Sequence, residues 1–490
     1  MGAGDAGTVT PAGGAATAAE AVREAVERAA AAWEAWRAAG PAGRARALEA
    51  AAEALLDHTE ELWPVADAET HLGETRLRGE IARTAAQLRL FAGVLRDGGY
   101  LEATIDHPDP EATPPRPDVR RMNHPIGVVA VFAASNFPFA FSVAGGDTAS
   151  ALAAGCPVVV KAHEGHPKTS ELTASVVRQA LPDPALLGLV HGFEAGEPLV
   201  THPRVAAVGF TGSLAGGKAI QALIRRRPDP IPFYGELGSV NPVIVLPSAD
   251  PAAVAEGFAA SLTLGVGQFC TNPGLVFVPA DRPEFERAIA DAVAKTTGGR
   301  MLTAKIRDGY LRGVDRIAGA GLAVLARGRA GSAPDAVAPQ VFVTDLDAFA
   351  AGLPALAEEC FGPASIVVRY GDPAELPAVL RRLPGSLTAT VHAASPGEAG
   401  GLVPVLERLA GRLIWNGWPT GVAVCWAMHH GGPWPATTSA AHTSVGAASI
   451  KRWLVPVAYQ DWPAELLPPE VRDGNPLGVP QRVNGRLVRP

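Results

Sequence analysis

Lysine, cysteine and aromatic residues are scarce in this chain of 490 residues. Only six of its 42 basic residues are lysine; the rest are arginine. Set against 49 acidic residues they leave a net charge of −7, which argues against nucleic acid or an anionic membrane as the main partner. Four cysteines, Cys156, Cys270, Cys360 and Cys425, are too few to staple so long a chain. A disulfide scaffold is therefore excluded and a reducing compartment expected. No Cys-x-x-Cys pair and no Cys/His ligand spacing occurs, so no metal is expected. His429 and His430 are adjacent, and neighbours on a strand point to opposite faces. No apolar run reaches the roughly 18 residues that cross a bilayer. The longest, residues 126–134, reads as a buried strand. The first 18 residues are Gly/Ala/Thr-rich, with neither a basic start nor an apolar block. They read as a frayed tail and not a signal peptide. A cytoplasmic protein is expected, with no membrane and no nucleic-acid partner.

What is present is a globular composition, 48% hydrophobic and 19% charged, with length for roughly two to four domains. Val22, Val26, Ala29, Trp33 and Trp36 recur at helical spacing, and Gly40-Pro41 ends that stripe. A second helix carries Leu48, Ala52 and Leu55, and a third runs over residues 77–95. A proline-rich connection follows at residues 107–117. Strand-like runs then alternate with helices. The first series holds residues 127–134, 157–161, 189–191 and 205–210, with helices expected at 142–154, 170–180 and from Ser213. A second series holds residues 242–246, 275–278, 341–343, 366–370 and 387–392. Such alternation predicts an α/β fold with two parallel-sheet domains. The tail after Lys451 shows no clear period.

A G-x-G-x-x-G fingerprint is absent after the first strand, so ordinary dinucleotide binding has no motif here. A different Gly-rich turn, Gly209 to Gly217, follows a strand and precedes a helix, where free backbone N–H groups could hold a phosphate. Cys270 lies in a Gly-flanked turn between a helix and a strand. Such a place suits a thiolate nucleophile, and a buried structural cysteine equally well. Cys156, beside Pro157, reads as core. Glu236 sits in another Gly-bounded turn and alone reads as a surface carboxylate.

Six motifs in chain order change that. Asn136-Phe137-Pro138, Lys161 with Glu164, Phe210-Thr211-Gly212-Ser213, Glu236-Leu237-Gly238, Gly267-Gln268-Phe269-Cys270 and Glu359-Cys360-Phe361-Gly362-Pro363 together resemble the aldehyde dehydrogenase superfamily. The likeness runs from the N-terminal helices to about Pro463. Finer runs resemble the branch that oxidises 2-oxoglutarate semialdehyde. They are residues 137–148, 236–242, 416–422 and 430–437.

The resemblance implies a cofactor-binding domain (1–106 and 126–237) and a catalytic domain (238–437). It also implies an oligomerisation element with a tail (107–125 and 438–490), and so a homodimer or homotetramer. It implies Cys270 as the nucleophile that forms a thiohemiacetal and then a thioester. The Asn136 amide and the Cys270 backbone N–H would be the oxyanion donors, and Glu236 the general base. Partial burial is expected to raise the Glu236 pKa toward neutrality. For the cofactor, Lys161 would bind ribose hydroxyls, Gly212 and Ser213 form the diphosphate turn, Glu359 hold the nicotinamide ribose and Phe361 pack beside the ring. Glu164 would face the adenosine ribose and repel a 2′-phosphate, favouring NAD, with NADP the alternative. The substrate would be a small aldehyde, 2-oxoglutarate semialdehyde first, another semialdehyde or aliphatic aldehyde second. A non-catalytic relative is the remaining reading. Ser239 and His430 depart from the wider superfamily, which often has glycine and an aromatic residue there. An acidic substrate also needs a cation, and the sequence does not single one out among the arginines.

Overall fold

A computed structural model describes residues 12–489; most of the tail expected over the first 18 residues lies outside them. Four helices open the chain: α1 (Ala12–Ala38), α2 (Gly40–Asp57), α3 (Thr59–Thr70) and α4 (Glu74–Asp97). The α1 stripe is buried at Val22, Val26, Ala29 and Trp36, and the Trp36 indole N–H donates to Leu152 O at 3.1 Å. The break falls at Gly40-Pro41, where Gly40 takes a φ of +67°. Helix α3 is absent from the sequence reading because Pro64 inside it reads as a breaker.

Strands β1 (Thr104–Asp106) and β2 (Val119–Pro125) lead into the first βα series. It runs β3 (Val128–Phe132), α5 (Gly146–Ala154), β4 (Val158–Lys161), α6 (Pro167–Ala180), β5 (Leu187–Val190), α7 (Gly196–Thr201), β6 (Val205–Thr211), α8 (Leu214–Arg225) and β7 (Phe233–Glu236). Its sheet is parallel throughout, in the order β5-β4-β3-β6-β7. The chain reverses its winding direction between β3 and β6. A crevice at the carboxyl ends of those two strands is where ligands bind in open α/β sheets.

The second series opens with β8 (Val243–Val245) and helix α9 (Pro251–Thr263), then β9 (Leu275–Pro279), β10 (Ala323–Arg327), β11 (Gln340–Asp345), β12 (Ala364–Tyr370), β13 (Ser386–His392) and β14 (Ala410–Trp415). These form a seven-stranded sheet ordered β10-β11-β12-β9-β8-β13-β14. It is parallel except at one edge, where β10 runs antiparallel to β11. Neither β10 nor β14 is in the sequence reading: β10 is Ala-rich and mostly exposed, so it carries no alternating pattern. A third sheet, β15-β2-β1-β16-β17, joins β15 (Leu454–Gln460), β16 (Gln481–Val483) and β17 (Arg486–Val488) to the proline-rich connection. The tail therefore has regular structure, and β1, within residues 1–106, pairs here and not with the first parallel sheet.

The segment before β15 is fastened to the first unit. Trp453 is fully buried and donates to Ser150 Oγ on α5 at 2.8 Å. Arg452, 3% exposed, pairs with Asp147 at 2.7 Å and lies 4.6 Å from the Trp453 ring centroid. Removing one partner strands the other charge in the interior, at a cost of about 3–5 kcal/mol. Asp147→Ala is thus expected to lower stability by about that much in urea unfolding. A loss under about 1 kcal/mol would show that Arg452 finds water or another acceptor.

Candidate active site

The site lies where the two parallel sheets and the segment after β14 meet. Strand β7 delivers Glu236, which is 3% exposed. Its backbone is tied to residues 436–437: Leu237 N donates to Ala436 O at 2.8 Å, and Glu236 bridges Thr437. Its carboxylate is held on both oxygens. Oε1 is 3.1 Å from His430 Nε2, and Oε2 accepts from the Ser444 hydroxyl. His430 is fully buried, and its Nε2 is also 3.6 Å from Cys270 Sγ. The donor atoms of Glu236, Cys270 and His430 lie within 4.8 Å of one another. A metal ion could use the same trio, but Glu236 is already hydrogen-bonded on both sides.

Cys270 sits on a braced loop between α9 and β9. Gly265, Val266 and Gly267 all have positive φ, and Val266, at +59°, is strained as a β-branched residue. Gly267 has no room for a side chain: a Cβ there would meet Gly362 C and Pro363 N at 2.4 Å. The loop hangs on Asn241. That side chain donates to Cys270 O at 2.8 Å and Asn272 O at 2.9 Å, and accepts from Ser239 Oγ at 2.7 Å and Thr388 N at 3.2 Å. Asn272 adds a bond to Gly362 O at 3.0 Å, and Gly421 N donates to Thr271 Oγ1 at 3.2 Å.

Asn136 approaches from the first unit. One amide hydrogen of Nδ2 donates to Gln268 O at 3.0 Å, leaving the other for a ligand. Among the described residues no acceptor takes the Cys270 N–H. The Asn136 loop is shaped by α4. Arg76 donates to Asn136 O at 2.7 Å, Glu80 Oε1 accepts from Phe139 N and Ala140 N at 2.8 and 3.0 Å, and Gln87 donates to Ala140 O at 3.2 Å.

Electrostatics differ from the expectation for Glu236. Burial pushes its carboxyl up, but the adjacent His430 ring and hydrogen bonds from His430, Ser444 and Cys270 outweigh it. Its pKa lies below the ordinary carboxylate value, not near neutrality. Burial and the Glu236 charge push the Cys270 thiol well up, with Arg412 opposing. The two groups thus rest as carboxylate and thiol, with His430 Nε2 3.1 Å from the one and 3.6 Å from the other. Burial raises Glu359 to about 8, against a hydrogen bond from the Ser239 backbone.

The expected cofactor residues fall in two places. Lys161, 7% exposed at the end of β4, pairs with the exposed carboxylate of Glu164. Gly212 and Ser213 follow β6. Ser213 caps α8, its Oγ accepting from Gly216 N at 3.1 Å, whereas the Gly212 N–H is spent on Glu236 O at 3.0 Å. The first turn of α8 beside the β3/β6 crevice is an anion-binding position. Glu359 and Phe361 line one hollow with Ser239 and Phe269, and Glu359 lies against the Gly238 turn. The donor set fits a dinucleotide: cation and carboxylate at one end, a helix start in the middle, a second carboxylate near the thiol. Cys156, expected as core, is fully buried, and Cys425 is exposed.

This geometry agrees with what the chain matches. The model of the aldehyde dehydrogenase family covers residues 8–454. The chain belongs to the aldehyde dehydrogenase family. It is 49% identical over 465 residues to an α-ketoglutaric semialdehyde dehydrogenase 2 of Azospirillum brasilense, covering 90% of this chain and 87% of that protein. It is 44% identical over 460 residues to an α-ketoglutaric semialdehyde dehydrogenase of Acinetobacter baylyi, covering 91% and 87%. Among solved structures, PnpE from Pseudomonas sp. WBC-3 is 25% identical, with a TM-score of 0.78 over 90% of each chain. A mutant aldehyde dehydrogenase C of Pseudomonas syringae, solved with NAD+ and octanal, shares the fold at 23% identity, with a TM-score of 0.78 over 90% and 89%. This aldehyde dehydrogenase is therefore an oxidoreductase that takes an aldehyde and a nicotinamide cofactor.

Sequence reasoning quoted His430 as a departure and Asn241 inside a motif, but gave neither a place beside the thiol. Ser444 and Arg76 carried no signal. The His430 ring is a main reason Glu236 ionises early. His430→Phe removes that partner, so the Glu236 pKa rises. The acid limb of the kcat/KM profile is then expected to move to higher pH. An unmoved limb would mean the ring does not govern the carboxylate.

Proposed function

We propose that this aldehyde dehydrogenase oxidises 2-oxoglutarate semialdehyde to 2-oxoglutarate through covalent catalysis at Cys270. The observation that carries the substrate is the near-half identity, over nine-tenths of the chain, to two relatives named for that aldehyde. The convergence of Cys270, Glu236 and Asn136 supports the mechanism.

Cys270 starts as a thiol, so attack requires a proton acceptor, and the Glu236 carboxylate lies within 4.8 Å of the sulfur. The thiolate adds to the aldehyde carbon. The oxyanion of the thiohemiacetal is received by the spare Asn136 N–H and the Cys270 backbone N–H. Bound nicotinamide supplies the hydride acceptor. Loss of hydride leaves a thioester on Cys270. Glu236 passes the thiol proton to solvent and then takes a proton from the attacking water; the C–S bond breaks, the acid departs as its carboxylate, and the freed Cys270 thiolate regains a proton from Glu236. A base with a lowered pKa is a weaker acceptor but is ionised over a wider range.

The unit of residues 1–106 and 126–237 binds the cofactor in this reading, and residues 238–437 supply the nucleophile. Lys161 and Glu164 hold the adenosine ribose, Gly212 and Ser213 border the diphosphate, and Glu359 and Phe361 attend the nicotinamide end. Glu164 would repel a 2′-phosphate, so NAD is preferred. The third sheet, residues 107–125 and 438–490 with β1, joins subunits into a homodimer or homotetramer. Supporting that, edge strand β15 exposes Val455 and Val457, and Trp462 follows it half-exposed. No described helix is long and apolar enough to cross a membrane. We place the enzyme in the cytoplasm, where its free thiols stay reduced.

The direct test is NADH formation over a panel of semialdehydes and aliphatic aldehydes. 2-Oxoglutarate semialdehyde should give the highest kcat/KM, and Cys270→Ala should lose at least about 1,000-fold in kcat. Another aldehyde in first place would reject the substrate; full turnover by Cys270→Ala would reject covalent catalysis. Glu164→Ala should shrink the NAD-over-NADP ratio of kcat/KM, roughly 10-fold for one removed like charge. An unchanged ratio removes Glu164 from cofactor choice.

A further inference from the structure

An aldehyde with a carboxylate at its far end needs a cation at a fixed distance from the nucleophile. Three guanidinium groups stand around the Cys270 pocket. Arg412 is committed: one terminal nitrogen donates to Pro419 O at 2.7 Å and Gly421 O at 3.0 Å, which braces the segment that contacts Thr271. Arg76 is committed to Asn136 O.

Arg83 is different. Among the described residues it has no hydrogen-bond acceptor, and its Nε and Nη2 are buried without a partner. Those two nitrogens are the side-on edge of the guanidinium, the edge that meets a carboxylate with two parallel N–H···O bonds. The group lies over the Phe137 and Phe141 rings, 5.4 Å from each centroid. The rings attract the positive charge but offer no acceptor to its in-plane hydrogens. The carboxylate that faces it by charge, Glu80, spends Oε1 on two backbone N–H groups, and its buried Oε2 makes no hydrogen bond to Arg83. Buried donors in this condition are costly and uncommon, and a ligand that completes them accounts for their retention.

Its position matches the substrate. Phe137 follows Asn136, Phe269 precedes Cys270, and the two rings are 5.3 Å apart. Arg76 lies 5.2 Å from both centroids, and Arg83 lies 5.4 Å from that of Phe137. A thiolate at Cys270 would favour the Arg83 charge, so the two groups are within electrostatic reach. Four C–C bonds separate the terminal carbons of a five-carbon semialdehyde, about 5 Å in extended form.

We propose that Arg83 is the carboxylate anchor of this enzyme: its Nε–H and Nη2–H bind the distal carboxylate while the aldehyde carbon meets Cys270. This rests on the acidic-substrate reading above. Both donors are closed to water in the free protein, so Phe137 or Phe141 turns aside as the substrate docks. Arg76 adds positive charge to the same wall without a free fork.

Wild type, Arg83→Gln and Arg83→Lys are compared on 2-oxoglutarate semialdehyde and on pentanal, which keeps the chain length and lacks the carboxylate. Arg83→Gln should lose roughly 10- to 100-fold more kcat/KM on the acid than on pentanal, mainly through KM. Arg83→Lys should fall between, as a point charge without the fork. Equal losses on both substrates, or none on the acid, would overturn the anchor. If Arg83→Gln does not fold, Arg83→Lys carries the same comparison, with pentanal turnover reporting the fold. If wild type prefers a different acidic semialdehyde and Arg83→Gln loses that one selectively, the anchor stands and only the named substrate falls. If wild type prefers no acid over pentanal, both fall.

Discussion

Gathering negative charge in a poorly solvated pocket is the constraint on which the rest of this site depends. Chemistry of this class needs a thiolate and a carboxylate base within reach of each other, and like charges in such a place raise each other's cost of ionisation. The protein answers with a division of labour. His430 and Ser444 stabilise the Glu236 carboxylate, so that group stays ionised. The cost falls on Cys270, whose thiol is pushed up by burial and by that same carboxylate. One group is held charged, the other neutral, and a proton can pass between them when the substrate arrives. An acidic substrate adds a third negative charge, and arginines on two different units oppose it.

This arrangement depends on two loops holding their shape. Each is fixed by side chains from a neighbouring element, because neither has a regular hydrogen-bond ladder. Asn241 uses both ends of its amide to tie the Cys270 loop to β13. Arg76, Glu80 and Gln87 on α4 do the same for the Asn136 loop. These two separately braced loops meet through the Asn136–Gln268 bond, two residues before Cys270. The geometry of the nucleophile is therefore a property of packing between units, and no single motif contains it.

That explains which parts could be read from the chain alone. The βα alternation of both series follows from local apolar runs and Gly/Pro punctuation, and it is seen with ends shifted by a few residues. The edge strand β10 and helix α3 escape because their local composition contradicts their state. Ordered motifs single out Cys270, Glu236 and Asn136; Cys270 and Glu236 lie together, and Asn136 bonds Gln268 on the Cys270 loop. The lowered Glu236 pKa was not foreseeable, since His430 and Ser444 are about 200 residues away in sequence and were not known to touch it.

The arginine wall shows the same limit more sharply. Positions 76, 80, 83 and 87 recur on one face of α4, while Leu77, Ile81, Leu88 and Phe91 bury another. Helical periodicity assigns the apolar stripe to the core and the polar stripe to water. Here the polar stripe faces protein as well, since Glu80 and Gln87 are 4% and 1% exposed. Such a helix looks amphipathic from sequence, yet Glu80 and Gln87 on its polar face are interior and Arg76 and Arg83 are half-buried. A charged residue there must be paired, and the Arg83 fork is a place on this face where that account does not close among the described residues, as is the second oxygen of Glu80. In a protein with so few lysines, abundant arginine looks like background composition. Burial and missing acceptors, not residue type, single out the Arg83 guanidinium, which has two buried nitrogens without a partner.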